Sequence, residues 1–251
     1  MKIVAIGGGE IGRPGYKIET RKIDEEIIKL SRKKHPKVLF IPSASGDSRT
    51  YFEIFSKYYG KKLKCKTDVL YLISKKDRLP KNETKKKILD SDIIYVGGGN
   101  TLRMLKIWRK HGIDKLLYQA GKKGIVLSGL SAGAICWFKY GNSDSMKFGK
   151  KKSKKLIKLK ALNLFNIMLC PHYDVEKNRR SSLKKMIKKQ GGFAIALNNC
   201  SALEIIDNKY RIITSLKKAN AYKIYKNEGR IIEKPLLPIR DFKPLQELTK
   251  R

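Results

Sequence analysis

The stretch GIVLSGLSAGAICWF, residues 124–138, decides how the chain is read. An apolar run enters Gly129-Leu130-Ser131-Ala132-Gly133, and the chain leaves on small and apolar residues suited to a helix. Strand, Gly-x-Ser-x-Gly and helix in that order form the pattern of a nucleophile elbow, where flanking glycines make room for a strained central residue. On this reading Ser131 is a candidate nucleophile, and the N–H of Ala132 is a candidate oxyanion donor. The competing reading is a serine in a glycine-rich loop, and partners elsewhere must decide.

Short β-rich runs alternate with amphipathic ones on both sides of that stretch. Strands are expected at residues 2–6, 37–41, 67–70, 93–96, 124–127, 164–170, 192–197 and 202–206, with weaker ones at 210–213 and 221–225. Helical spacing covers 21–34, 51–59, 83–89, 101–110, 116–121 and 179–190. Alternation of this kind implies an α/β fold with a mostly parallel sheet covered by helices on both faces. After about residue 202 strands and turns follow without helices, as in an antiparallel C-terminal extension. We expect a single domain over residues 1–240 and a C-terminal tail over 241–251.

Composition narrows the function classes. Apolar runs such as IIYV, residues 93–96, fall far short of the roughly 20 residues a membrane helix needs, so no membrane association is expected. MKIVAIGGG passes directly from a short apolar run into glycines, which reads as the first strand of a cytoplasmic protein rather than a signal peptide. Cys65, Cys136, Cys170 and Cys200 lack any CxxC pairing, so reduced thiols are expected, and no metal or cofactor. The 58 Lys+Arg against 22 Asp+Glu give a formal charge of +36. Such a field attracts nucleic acid. The lysines are nevertheless dispersed and not interleaved with aromatics, so solvated faces are the favoured reading and nucleic-acid binding the lesser one. The acid-free run KFGKKKSKKLIKLK, residues 147–160, is expected as a flexible loop able to steer acidic peptides.

Two glycine clusters follow strands. Gly7-x-Gly9-x-x-Gly12 formally matches a dinucleotide fingerprint, but Pro14 and Gly15 fall where that motif needs a helix. Gly97-Gly98-Gly99-Asn100-Thr101 opens a helix instead, and its backbone N–H groups could face developing negative charge. A serine nucleophile also needs a base, and the chain has 3 histidines. His35 and His111 lie at predicted helix ends, whereas His172 lies just past an apolar strand, the end where parallel sheets carry functional loops. His172 is therefore the candidate base. Candidates to orient it are Asp144, Asn199 and, with poorer geometry, Asp174.

These residues resemble the serine peptidases that include α-aspartyl dipeptidase and cyanophycinase. The resemblance runs from MKIVAIGGG through VLFIPSAS, DIIYVGGGNTLRML, GIVLSGLSAGAICWF and LCPHYD to ALNNCSALEI, with GGGNT, GxSAG and PH in order. It implies a flavodoxin-like fold similar to class I glutamine amidotransferases, with serine replacing cysteine on the elbow. It further implies a peptide substrate, Ser131 as nucleophile, His172 as base, and Gly98 or Gly99 with Ala132 as oxyanion donors. The family's acid falls either on Asp144 or, in an ALxE stretch, on Asn199. Because Asn199 is not an acid, Asp144 is expected as the charge partner, with Asn199 as the alternative orienter. An acidic-peptide preference would need a cation in the pocket, for which Arg179 and Arg180 are the candidates. The rivals are a polyanion-binding protein with an idle elbow and a hydrolase of a small ester or amide.

Overall fold

The computed structural model describes residues 1–149, 152–176 and 178–249. Its strands form two sheets rather than one. The first has 8 strands in the order β14-β11-β10-β1-β5-β4-β2-β3. Its parallel part comprises β1 (Lys2–Ile6), β2 (Lys37–Ile41), β3 (Lys66–Val69), β4 (Ile93–Val96) and β5 (Val126–Leu130). The second has 6 strands in the order β13-β12-β9-β8-β6-β7. There β6 (Phe138–Ser143), β8 (Phe165–Cys170) and β9 (Phe193–Leu197) are parallel, and β7 (Ile157–Lys160) is an antiparallel edge.

The expected antiparallel C-terminal extension exists, but it divides between the sheets. β10 (Ser201–Ile206) and β11 (Lys209–Thr214) extend the first sheet, while β12 (Ala221–Asn227) and β13 (Arg230–Leu236) extend the second. Lys243–Pro244, β14, pairs with β11, and Leu248 in the short helix α8 (Gln246–Thr249) is fully buried. The described part of the expected tail is thus docked, because one leucine finds a place in the core. Lys250 and Arg251 of that span lie outside the described residues.

Strand residues alternate between two apolar layers, as the two-residue strand period requires. Ile3, Leu39, Ile94 and Leu127 join the core between the two sheets, together with Leu169 and Ile195 of the second. Helices α4 (Thr101–His111) and α5 (Ile113–Lys122) contribute to this core, as Trp108 and Leu117 show. Val4, Phe40, Tyr95 and Val126 point the other way, against α1 (Arg21–Leu30) and α2 (Arg49–Phe55), which continues as a π-helical turn over Ser56–Lys62. α3 (Lys81–Leu89) buries Ile88 in the inter-sheet core.

One local expectation fails in an informative way. The helix after the elbow, α6 (Ala132–Ile135), is a single turn, and β6 begins at Phe138. Aromatics at 137, 138 and 140 favour strand over helix, and this strand starts the second sheet. The basic run 147–160, expected to be a loop, ends in β7; its Lys150 and Lys151 lie outside the described residues. α7 (Arg179–Gln190) covers the outer face of the second sheet with Leu183 and Ile187. The carboxyl ends of β1, β4, β5, β8 and β9 carry Gly7, Gly97, Ser131, His172 and Asn198 onward, and the candidate residues converge there.

Candidate active site

β5 runs straight into Ser131, whose N–H donates to Ile6 O at 3.1 Å and whose backbone sits at φ 58°, ψ −107°. A non-glycine residue there costs on the order of 1–3 kcal/mol. The strain is held because Ala134 and Ile135 N–H both donate to Ser131 O at 3.0 Å. The flanking glycines are demanded by close approach. A Cβ on Gly129 would stand 2.6 Å from Gly133 O and 2.7 Å from Val96 O, and one on Gly133 would collide with Val96 O. The elbow is thereby pressed against the end of β4. A Cβ on Gly98 would lie 3.5 Å from Ser131 Cβ, so the Gly97–Gly99 turn borders the serine directly. Ala132 opens α6, where first-turn N–H groups lack intrahelical partners.

His172 follows β8, with φ 53° and its N–H donating to Gly7 O at 3.0 Å. Its Nδ1 donates to Asn199 Oδ1 at 2.7 Å, which leaves the Nε2 lone pair free to act as a base. Burial holds the imidazole below its ordinary pKa; the Asn199 hydrogen bond opposes this, and the positive charge of Arg179 adds to it. The ring is therefore neutral at pH 7. Asn199 N–H in turn donates to Asp174 Oδ1 at 2.9 Å, so Asp174 supports the orienter. The first glycine cluster also finds its reason here. A Cβ on Gly8 would collide with Asn199 Oδ1 and stand 2.5 Å from the His172 ring, so this glycine admits the His–Asn pair rather than a nucleotide.

Asp144 does not take the expected place. It follows β6 directly instead of a longer helix, and its Oδ2 faces Arg179 at 4.0 Å. Among the described residues the side-chain hydrogen-bond partner of His172 is Asn199, and Asp144 reaches the imidazole only as a more distant charge. The two arginines are likewise elsewhere. Arg179 is 1 % exposed and donates to Asn142 O at 2.6 Å and Glu176 Oε2 at 2.7 Å. Arg180 pairs with Glu233 at 3.2 Å and stacks 4.9 Å over the Tyr173 ring. Neither is among the residues that line the cleft beside His172; Lys177, just before them, lies outside the described residues.

Gly98, Gly99, Leu130, His172 and Asn199 line a cleft of about 650 Å³. Its other wall is the loop between β1 and α1, which brings Glu10, Arg13 and Glu19, together with Tyr51 of α2. Gly98 N–H donates to Tyr51 OH at 3.4 Å, and burial raises the pKa of that phenol, keeping it protonated. Sequence reasoning missed this wall. In GGGEIGRPGYKIET the glycines draw the reading, while the usable signal is the four charged residues Glu10, Arg13, Lys17 and Glu19 astride a Pro-Gly turn.

A serine on a strand-to-helix elbow, with a histidine just past a strand end of the second sheet, is the arrangement of a serine hydrolase on an α/β scaffold. The sequence model of Peptidase family S51 matches residues 3–213, and the chain belongs to this family, a serine-type peptidase. It is 35% identical over 241 residues to the Uncharacterized peptidase YgaJ of Bacillus subtilis (strain 168), covering 94% of this chain and 96% of that one. Its fold resembles that of a peptidase from an acI-B1 Actinobacterium (TM-score 0.72, 16% identity, 97% and 96% of the two chains). It also resembles a Peptidase E-type protein from Listeria monocytogenes EGD-e (TM-score 0.62, 21% identity, 85% and 98%). Among the described residues no helix is long and apolar enough to cross a membrane.

Proposed function

We propose that the protein cleaves short peptides through an acyl-enzyme on Ser131, with His172 as general base, Asn199 as its orienter and a backbone oxyanion hole. The carrying observation is the 2.7 Å bond from His172 Nδ1 to Asn199 Oδ1, which selects the tautomer whose Nε2 can accept a proton. Ser131 Oγ attacks the scissile carbonyl carbon as its proton passes to Nε2, and the carbonyl π electrons move onto oxygen. Ala132 N–H and an N–H of Gly98 or Gly99 donate to that oxyanion. Collapse expels the amine, which takes the proton from the imidazolium, and water then releases the acyl group by the same steps in reverse order. With an amide as orienter the imidazolium gains no full counter-charge, so the oxyanion hole carries a larger share of the stabilisation.

The cleft volume suits a di- or oligopeptide rather than a folded chain. An acidic preference resting on Arg179 and Arg180 is not favoured, since both pair with carboxylates of this chain and neither lines the cleft. Four buried thiols support a reducing, cytoplasmic setting. A fluorophosphonate probe should label the protein at Ser131, and labelling should vanish in both Ser131→Ala and His172→Ala. Labelling that persists in Ser131→Ala refutes the nucleophile assignment.

A further inference from the structure

The cleft carries charge of the wrong sign for an acidic substrate. In a chain of +36 an unselected cleft would be lined by lysine. The wall facing His172 instead carries Glu10, Arg13 and Glu19. Arg13 is committed, since its Nε donates to Glu10 Oε2 at 2.8 Å and its Nη2 to Glu10 Oε1, a bidentate fork that neutralises both partners. Glu19 is different. Its Oε2 accepts Glu10 N–H at 3.0 Å, and among the described residues no cation pairs with it.

Glu19 also lies close to the His–Asn pair. Gly8, on which the pair rests, accepts Cys200 N–H at 2.8 Å, and Cys200 Sγ lies 3.9 Å from Glu19 Oε2. The Cys200 thiol registers the local field: burial first, then the carboxylates of Glu19 and Asp174, push it up to about 12. Two carboxylates that no cation pairs with among the described residues thus flank the turn that holds Asn199, and the cleft is further lined by Tyr16, Ser48, Thr50, Tyr51 and Ile54.

We propose that Glu19 is the specificity residue of this cleft, and that it takes a cationic nitrogen on the amino-terminal side of the scissile bond. The nitrogen is the α-ammonium of an unblocked peptide or the ammonium of a basic side chain. This rests on the peptidase reading above and adds the substrate's charge. The Glu10–Arg13 fork acts as positioning support: it withdraws the cleft's arginine from acidic substrates and orders the loop that presents Glu19.

The test is calorimetric binding to the full-length protein, which does not depend on turnover, in parallel with fluorophosphonate labelling. The ligands are leucinamide, lysinamide, their Nα-acetyl derivatives and Nα-acetyl-aspartamide. Leucinamide or Nα-acetyl-lysinamide should bind at least tenfold more tightly than Nα-acetyl-leucinamide, and Glu19→Gln, whose amide oxygen still accepts Glu10 N–H, should abolish the difference. Tight binding of Nα-acetyl-lysinamide assigns the side-chain ammonium, and tight binding of leucinamide without it assigns the α-ammonium. Glu10→Gln, which frees Arg13, should improve binding of the aspartyl ligand. Equal binding of charged and uncharged ligands, tightest binding of the aspartyl ligand, or an unchanged Glu19→Gln overturns the inference. A labelled protein without amine selectivity refutes this inference alone, whereas amine-selective binding to a protein that is never labelled refutes the hydrolase reading alone.

Discussion

Asn199→Asp is the substitution that tests the site most directly, because it changes charge and little else. The two side chains are isosteric, so the 2.7 Å contact with His172 Nδ1 is retained while a full negative charge replaces an amide oxygen. At about 4 Å between charge centres and an effective dielectric near 20, the attraction is about 332/(20 × 4), or roughly 4 kcal/mol. That corresponds to about 3 pKa units at 1.36 kcal/mol each. Cleft solvent and repulsion between the new carboxylate and Asp174, which already sits 2.9 Å from the position-199 N–H, reduce this to about 1–2 units. The sign follows from the present state. Burial now holds His172 below its ordinary value, so the acidic limb of kcat/KM lies low; the variant's limb moves up by about 1–2 units. Above that limb the imidazolium formed in the transition state gains the same stabilisation, about 1.4–2.8 kcal/mol, or a 10- to 100-fold rise in kcat. The assay is a pH profile of peptide hydrolysis for the parent, Asn199→Asp and Asp144→Asn. Superimposable parent and Asn199→Asp profiles, or a larger loss in Asp144→Asn than about threefold, refute Asn199 as the orienter.

Other outcomes follow from the same geometry. Gly133→Ala forces a Cβ into Val96 O and should cost about 3 kcal/mol or more, seen as a drop in melting temperature, whereas Gly98→Ala makes only contacts of 3.4–3.5 Å and should melt within a few degrees of the parent. Arg179→Met leaves Glu176 and Asp144 without their buried cation and should destabilise by about 3–5 kcal/mol in urea titrations, while Arg180→Ala, at a half-exposed pair, should cost about 1 kcal/mol or less. Asp24 is fully buried and accepts from Thr20, Tyr58 and Tyr59, with burial pushing its carboxyl up to about 6. A carboxyl raised above its unfolded value stabilises most below pH 3.8 and loses that contribution as pH rises through about 6, a change of about 3 kcal/mol. The stability difference between the parent and Asp24→Asn should therefore vary by most of that amount, about 2–2.5 kcal/mol, between pH 4 and 7; a constant difference refutes the assignment.

The strands around the elbow were legible because their burial on both faces leaves unbroken apolar runs, as in IIYV, residues 93–96, and FAIAL, residues 193–197. The placement of Ser131 and His172 just past strand ends was legible for a related reason, since strand ends in parallel sheets carry the loops of a cleft. The partition into two sheets was not, because a strand's pattern shows that it is buried but not which neighbour buries it. The short α6 hid β6 for a local reason: three small residues and Ile135, with a strand starting after only Cys136 and Trp137, look like one helical run. That error displaced Asp144, whose position depends on whether the preceding residues rise 1.5 Å or about 3.3 Å each. Arg179, expected as a cation for the substrate pocket, is instead buried against Asn142 and Glu176, partners that lie 37 and 3 residues away and whose convergence no local pattern announces. Charge sign in the cleft was hidden behind the chain's overall +36, which describes the surface average and not the loop at residues 9–20.

That local sign bears on why an amide, and not an acid, orients the histidine. Asp174 accepts the N–H of Asn199, and Glu19 lies across Cys200 from it, so two carboxylates already share the turn. A third at position 199 would gain the imidazolium only transiently, in the transition state, and would repel both neighbours throughout the catalytic cycle. If the same carboxylates hold a cationic peptide end, an ionised residue at 199 would also compete with Glu19 for that cation and draw it toward His172 Nδ1. The amide keeps the tautomer and the ring orientation, which geometry alone supplies, and leaves the cleft's negative charge concentrated where the substrate's nitrogen would enter. Catalytic strength and substrate placement thus make opposing demands on one position, and the hydrogen-bonded amide satisfies the second while retaining the part of the first that does not require charge.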